Sequence, residues 1–162
     1  MNFIDEVKYL RNNKKGLIFI FLFRFSHFIA KSNIIIKIIG FPYRVFYMVF
    51  VQWILGIDIP DSTTIGYGFS VWHGQALIIH PDCKIGQNVE VRHSTTIGQK
   101  NPDELPPVIG NNVSIGAHCV IIGNITVGNN CIIGAVTFVN KSVPDNSIVY
   151  GNPMIVNPRV LN

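Results

Sequence analysis

The chain has 162 residues, 48% of them hydrophobic, with 13 Lys or Arg against 9 Asp or Glu and a formal net charge of +4. That length allows one sizeable core and a small appendage. The charge is concentrated: residues 1–57 hold eight Lys or Arg against only Asp5 and Glu6, and nine of the 11 Phe. No helix-turn-helix, zinc or single-strand-binding signature accompanies it, which speaks against nucleic acid and for an anionic membrane surface or an acidic partner.

Residues 3–15 are predicted as a polar surface helix, with Phe3, Ile4 and Leu10 on its apolar side. Residues 17–30 and 34–57 are dense in Ile, Phe, Leu and Val and read as two more helices, the second broken at Gly40-Phe41-Pro42 because Pro removes a donor and clashes with the preceding turn. A spanning helix needs about 20 apolar residues; here Arg24, Lys31, Lys37 and Arg44 cut the runs shorter. Arg24, His27 and Lys31 fall on one helical face, which suits a helix lying in the membrane interface. A helical subdomain packed on itself or on a neighbouring subunit is the equal alternative, and a transmembrane span ranks behind both. Asp5 and Glu6 stand where a secretory signal carries positive charge, and no small-residue cleavage site follows Leu22. The expected location is the cytoplasm, peripheral at the inner membrane if the helices bind lipid.

From Ile59 onward an aliphatic residue returns every sixth position: Ile59, Ile65, Val71; then Ile79, Ile85, Val91, Ile97; then Ile109, Ile115, Ile121, Val127, Ile133, Val139. Gly often follows it, and a small or apolar residue stands four places on. A six-residue period marks a parallel β-helix, a mainly β fold in which three hexads close one triangular coil. Gly after the aliphatic is expected to supply turn dihedrals that a Cβ would resist. The expected organisation is a helical segment at 1–57, the β-helix at 58–143, and a tail at 144–162 covering the last coil. Two irregularities interrupt the beat: two extra residues around Gly74-Gln75-Ala76, and a loop at 99–107 whose prolines cannot hold a strand. Cys83, Cys119 and Cys131 occupy inward places and are predicted as buried free thiols, unsuited to nucleophilic attack.

His73 and His93 are 20 residues apart, one coil plus the two-residue insertion, which stacks them on neighbouring coils about 4.8 Å apart. Both stand at the third place of a hexad, where a side chain can face a surface groove. With Asp58 they could form a metal site, but no recognised ligand spacing is present, so no metal is expected. A general base is the better use of His73, since an imidazole takes up a proton near neutral pH. His27, His80 and His118 lack such company and are treated as structural.

The run Asp58-Ile59, Ile65-Gly66, His73-Gly74 and Ile97-Gly98, continued by Ile115-Gly116-Ala117, Gly123-Asn124-Ile125, Ile133-Gly134-Ala135 and Gly151-Asn152-Pro153, resembles the hexapeptide-repeat acyltransferases of the serine acetyltransferase branch. Within that branch it is most similar to the colanic-acid and capsular-polysaccharide acetyltransferases, whose short N-terminal segments also read like Phe23-Arg24, His27-Phe28 and Tyr43-Arg44 and which share Arg92-His93. The resemblance implies a homotrimeric, left-handed β-helix that transfers acetyl directly from acetyl-CoA, as cosubstrate, to a hydroxyl. It implies His73 as general base and Asp58, 15 residues before it, as the group that holds the ring; His93 is read as an auxiliary catalytic residue from its stacking on His73 alone. It further implies CoA contacts at Gly98, Ala117, Ala135 and Lys141. Two departures bear on the acceptor. Leu105 and Pro106 stand where the serine enzymes carry an Arg-His carboxylate anchor, and Trp72 replaces the Asp before their catalytic His. An aromatic side chain suits a sugar face, so the expected acceptor is a hydroxyl of a surface polysaccharide or its lipid-linked precursor. A serine O-acetyltransferase and a non-catalytic partner-binding β-helix are the alternatives.

Overall fold

A computed structural model describes residues 3–159. Helices α1 (Phe3–Tyr9), α2 (Lys14–Lys31) and α3 (Ile34–Tyr47) come first, and α3 continues as a π-helix over Met48–Ile54. Asn13 and Asn33 cap α2 and α3, their side-chain oxygens accepting from Gly16 N and Ile36 N. The expected break at Pro42 does not occur, and Pro42 lies inside α3. The exposed side of the helix lets water take the hydrogen bond that Pro cannot make. Packing holds the helix there as well: a Cβ on Gly40 would come within 2.5 Å of Ile29 Cγ2, so α2 and α3 touch closely at that turn.

The rest is a left-handed β-helix of five coils. The first coil contains β1 (Ile57–Asp58), β2 (Thr64–Ile65) and β3 (Ser70–Trp72), and the second β4 (Leu77–Ile79), β5 (Lys84–Ile85) and β6 (Glu90–Arg92). Next come β7 (Thr96–Gly98), β8 (Val108–Ile109) and β9 (Ser114–Ile115), then β10 (Val120–Ile122), β11 (Thr126–Val127) and β12 (Ile132–Ile133). The fifth coil runs through β13 (Phe138–Val139) and a bridge from Val127 to Val143 into β14 (Ser147–Tyr150), after which β15 (Ile155–Pro158) turns back. The first face stacks β1-β4-β7-β10-β13, the second β11-β8-β5-β2 and the third β15-β14-β12-β9-β6-β3; all pairs are parallel except β14 with β15. The solenoid therefore outlasts the expected limit at 143: after a coil shortened by two residues, Val149 pairs with Ile133 and is fully buried. The antiparallel return of β15, rather than an irregular tail, ends the third face.

The inward aliphatics and the three cysteines form one continuous core. Glycine after the aliphatic has a different cause from the expected one. Gly66, Gly86, Gly110 and Gly128 are not among the positive-φ residues; a Cβ on Gly66 would instead lie 2.6 Å from Gly86 O, and one on Gly86 2.5 Å from Gly110 O. Stacked backbones, not turn dihedrals, exclude a side chain there. The left-handed turn residues at that corner are Asn88, Asn112, Asn130 and Asn146, whose amides donate in sequence down a ladder of 3.0 Å hydrogen bonds.

The helices cap the first coil. Arg24 donates to Glu6 and to the carbonyls of Ile65 and Gly66, and Glu6 accepts from Gly68 N at 2.8 Å. Asn13 donates to Val71 O, and the Tyr47 hydroxyl to Ile59 O at 2.7 Å. Arg44 grips Asp61 with two hydrogen bonds, and His27 Nδ1 lies 2.7 Å from Asp61 O. Arg24 and His27 therefore face the β-helix. Arg24, His27 and Lys31 do line one cavity, with Phe21, Phe25 and Phe28, but open backbone groups of the first coil engage the polar ends of Arg24 and His27 and leave Lys31 as its free charge.

Candidate active site

The corner leading from the third face to the first carries the histidines. Register locates the two-residue irregularity there. Trp72 pairs with Arg92, while Gln75 O accepts from Ser94 N, His93 O from His118 N, and Ala117 O from Val136 N. Gln75, His93 and Ala117 are thus equivalent positions in successive coils, and His73-Gly74 is the inserted pair. Both residues are left-handed, at φ +68° and +65°. For a non-glycine residue this is an uncommon, strained conformation. It forms a bulge that lifts an exposed His73 ring from the edge of the prism.

Beneath the bulge the His73 and His93 rings meet edge-on at 5.8 Å between centroids, and His93 meets His118 in the same way at 5.1 Å. The stack contains three imidazoles, and treating His118 as merely structural missed the third. Its fourth-place position in the hexad concealed the contact; the left-handed φ of +58° at His118 turns its ring back toward His93. His93 is half-buried, and its Nδ1 has no hydrogen-bond partner among the described residues. The indole N–H of Trp72, one residue before His73, is likewise buried and unpaired. Two buried polar atoms without partners, on Trp72 and His93, thus accompany the exposed imidazole. His73 also lines a cavity of about 200 Å³ with Lys15, Ile54, Leu55 and Gly74, where the π-helix ends against the first coil.

Asp58 is exposed on β1, adjacent in sequence to Ile57, whose side chain packs beneath Gly74. Among the described residues no hydrogen bond joins it to His73. It lines a separate cavity of about 570 Å³ with Arg44, Tyr47 and Asp61.

Ala117 and Ala135 continue the His93 position down the same corner, leaving it lined by methyl groups. Gly98 and Lys141 lie across the first face, at the corner where its strands end. A Cβ on Gly98 would meet only His80 Cβ, at 3.9 Å, so the outer side of that backbone is open. Lys141 is exposed beside a cavity of about 260 Å³ shared with Phe138, Asn140 and Met154. One chain therefore divides the expected CoA contacts between two corners. The 99–107 loop leaves as expected and folds over Gly123, pinned by Gln99 Nε2 donating to Glu104 O and Asn101 Nδ2 to the Glu104 carboxylate. Each thiol is buried, and burial raises its pKa, that of Cys83 to about 12.

Residues 106–141 match the bacterial transferase hexapeptide (six repeats) family. The chain is 37% identical over 133 residues to WcaB of Escherichia coli K12, a provisionally assigned colanic acid biosynthesis acetyltransferase, covering 80% of this chain and 82% of that one. It belongs to the hexapeptide-repeat transferases. Within them it is an acetyltransferase of the serine acetyltransferase-like group: a Staphylococcus xylosus serine acetyltransferase is 36% identical over 60% of this chain and 46% of its own. The structure of the Brucella abortus serine acetyltransferase in complex with coenzyme A superimposes with a TM-score of 0.78 at 25% identity, over 96% of this chain. The chain spans 66% of that enzyme's length. In the loop, Leu105 is exposed and Pro106 buried, and neither side chain can pair with a carboxylate.

Proposed function

We propose that this acetyltransferase uses acetyl-CoA to acetylate a sugar hydroxyl of a bacterial surface polysaccharide or its lipid-linked precursor. The observation that carries this reading is the His73–His93 stack beside the unpaired indole N–H of Trp72. His73 takes the acceptor proton as its oxygen attacks the thioester carbonyl, and the thiol of CoA leaves without an acyl-enzyme. The buried, raised-pKa cysteines accord with direct transfer. His93 orients the acceptor or His73 through its free Nδ1, and Trp72 offers a ring face and a donor to the sugar. Asp58 is assigned the role of steadying His73 on its 15-residue spacing, with an acceptor in place closing the gap between them.

The chain is proposed to act as a homotrimer. Assembly around a threefold axis along the prism would set the Gly98–Lys141 corner of one copy opposite the His73–Ala135 corner of the next. CoA would then lie between copies, its arm over Ala117 and Ala135, Gly98 near the thiol and Lys141 at a phosphate. The proposed location is the cytoplasm. Similarity to serine acetyltransferases keeps L-serine as a second acceptor, against which stand Leu105, Pro106 and Trp72.

The test is thiol release from acetyl-CoA by the purified chain with L-serine and with a panel of surface-glycan oligosaccharides. Sugar-dependent release that is lost in His73→Ala supports the proposal. Serine-dependent release without sugar-dependent release overturns the acceptor assignment.

A further inference from the structure

The helical cap leaves one side uncovered. On α2, Ile18, Phe21, Phe25 and Phe28 are exposed at helical spacing, and the stripe they form is bracketed by Lys14 and Lys31. On α3, Ile34, Ile35, Ile38 and Ile39 are 64–75% exposed, and farther along Trp53 is 71% exposed. Ring contacts join the stripes into one face: Phe25 meets Tyr43 edge-on at 4.6 Å, Tyr43 meets Phe46, and Phe46 stacks on Phe50. Isolated exposed apolar residues are ordinary, but a continuous face of this extent marks an interaction surface.

Charge identifies the occupant. Residues 14–54 contain six Lys or Arg and no Asp or Glu. Arg24 and Arg44 are committed to Glu6 and Asp61. Lys14, Lys15, Lys31 and Lys37 have no carboxylate partner among the described residues. The surface that covers this face must therefore be apolar within and anionic at its boundary, the two properties that an acidic lipid bilayer combines. A twofold contact with a second copy would instead bring like charges together.

We propose that this face docks in the plane of an anionic bilayer. The phenylalanine and isoleucine side chains enter the acyl boundary, Trp53 sits at the headgroup level, and the lysines reach the lipid phosphates. Ile34–Ile54 is long and apolar enough to cross a membrane, but its other side is fixed. Arg44 is bonded to Asp61, the Tyr47 hydroxyl to Ile59 O, and Val51 is fully buried. These residues lie three and four positions apart along one side of the helix, so crossing would strip them from the first coil. Docking does not rest on acetyl transfer, and a chain inactive on every acceptor would still bind lipid.

The test is sedimentation of the full chain with phosphatidylcholine vesicles, with or without about a third phosphatidylglycerol, alongside fluorescence quenching by brominated acyl chains. Expected are binding to the anionic vesicles, binding weaker by about tenfold or more on neutral vesicles or in high salt, and quenching that disappears in Trp53→Phe. The exposed pair Ile38→Asn/Ile39→Asn should weaken binding about tenfold or more with an unchanged melting curve. Absence of binding to anionic vesicles by the folded chain overturns the proposal, as does binding indifferent to Ile38→Asn/Ile39→Asn. A fall in oligomer mass in that variant, without lipid binding by the parent, would assign the face to self-contact and equally overturn it. If the variant fails to fold, Trp53 quenching in the parent decides.

Discussion

His73 occupies a backbone conformation that L side chains avoid, next to a glycine that shares it. A left-handed residue with a Cβ costs about 1 kcal/mol, so two outcomes separate chemistry from folding. His73→Ala should lower kcat for acetyl transfer by about 10²- to 10⁴-fold. His73→Gly should be as inactive, yet unfold in urea no more easily than the Ala variant, since it relieves the left-handed backbone. Two glycines offer a second contrast. At Gly110 an added Cβ would come within 2.9 Å of Gly128 C, whereas at Gly98 it meets only His80 Cβ, at an ordinary 3.9 Å. Gly110→Ala should cost about 1–3 kcal/mol in urea unfolding, and Gly98→Ala well under 1 kcal/mol. His73 and His93 were legible from spacing because one coil plus a two-residue insertion separates them. His118 was not legible: its contact depends on a left-handed turn that hexad place alone does not reveal. Nor was the reason for the repeated glycines, since excluded volume between coils depends on which backbones stack.

At the scale of elements, the helical segment joins the β-helix through a shared apolar core, where Phe19 meets Phe69 at 6.3 Å, and through a few polar contacts. Glu6 is fully buried, accepts twice from Arg24 and once from Gly68 N, and occupies the only place where all three donors converge among the described residues. Glu6→Ala should cost about 3–5 kcal/mol, because the Arg24 charge loses its partner; thermal or urea melts measure it. Asp61 gives this junction a pH dependence. Burial pushes its carboxyl upward, but the hydrogen bonds from Arg44 and Ser26 and the Arg44 and His27 charges outweigh burial and leave its pKa below the ordinary value. A carboxyl held lower in the folded than in the unfolded chain stabilises above the unfolded pKa, about 4, and that contribution is lost as pH falls through the folded value. Urea midpoints should fall as the pH drops below about 4, and the fall should be shallower in Asp61→Asn. The sequence showed the helices, their apolar character and the shared face of Arg24, His27 and Lys31, but not that the first coil engages Arg24 and His27. Helical spacing gives a shared face, and only the open backbone of the first coil decides what that face meets.

Across the whole molecule, the six-residue beat made the fold legible, because every inward place repeats the same steric demand. It also located the three cysteines. In the native protein none should react with an aromatic disulfide reagent at neutral pH over minutes, and all three should react in denaturant, since burial holds each thiol protonated. Rapid labelling of one native thiol would contradict its inward placement. The fifth coil was less legible, because Pro144, Asp145 and Asn146 resemble an exit loop and the beat skips from Val139 to Val143, so that Val143 pairs with Val127 and Val149 with Ile133 in a coil two residues short.

The capping of both ends carries a consequence for growth. A parallel solenoid is open-ended by nature, and a bare terminal coil is a template onto which further strands can add without limit. Here Glu6, Asn13, Arg24 and Tyr47 occupy the hydrogen-bonding groups of the first coil, and β15 runs against β14 in the opposite sense. The molecule is therefore a filament stopped at both ends, whose length can change only from within. Material added within it must either arrive in whole turns or leave the prism at a corner, as His73-Gly74 and the 99–107 loop do, since any other increment would rotate every residue below it onto the wrong face.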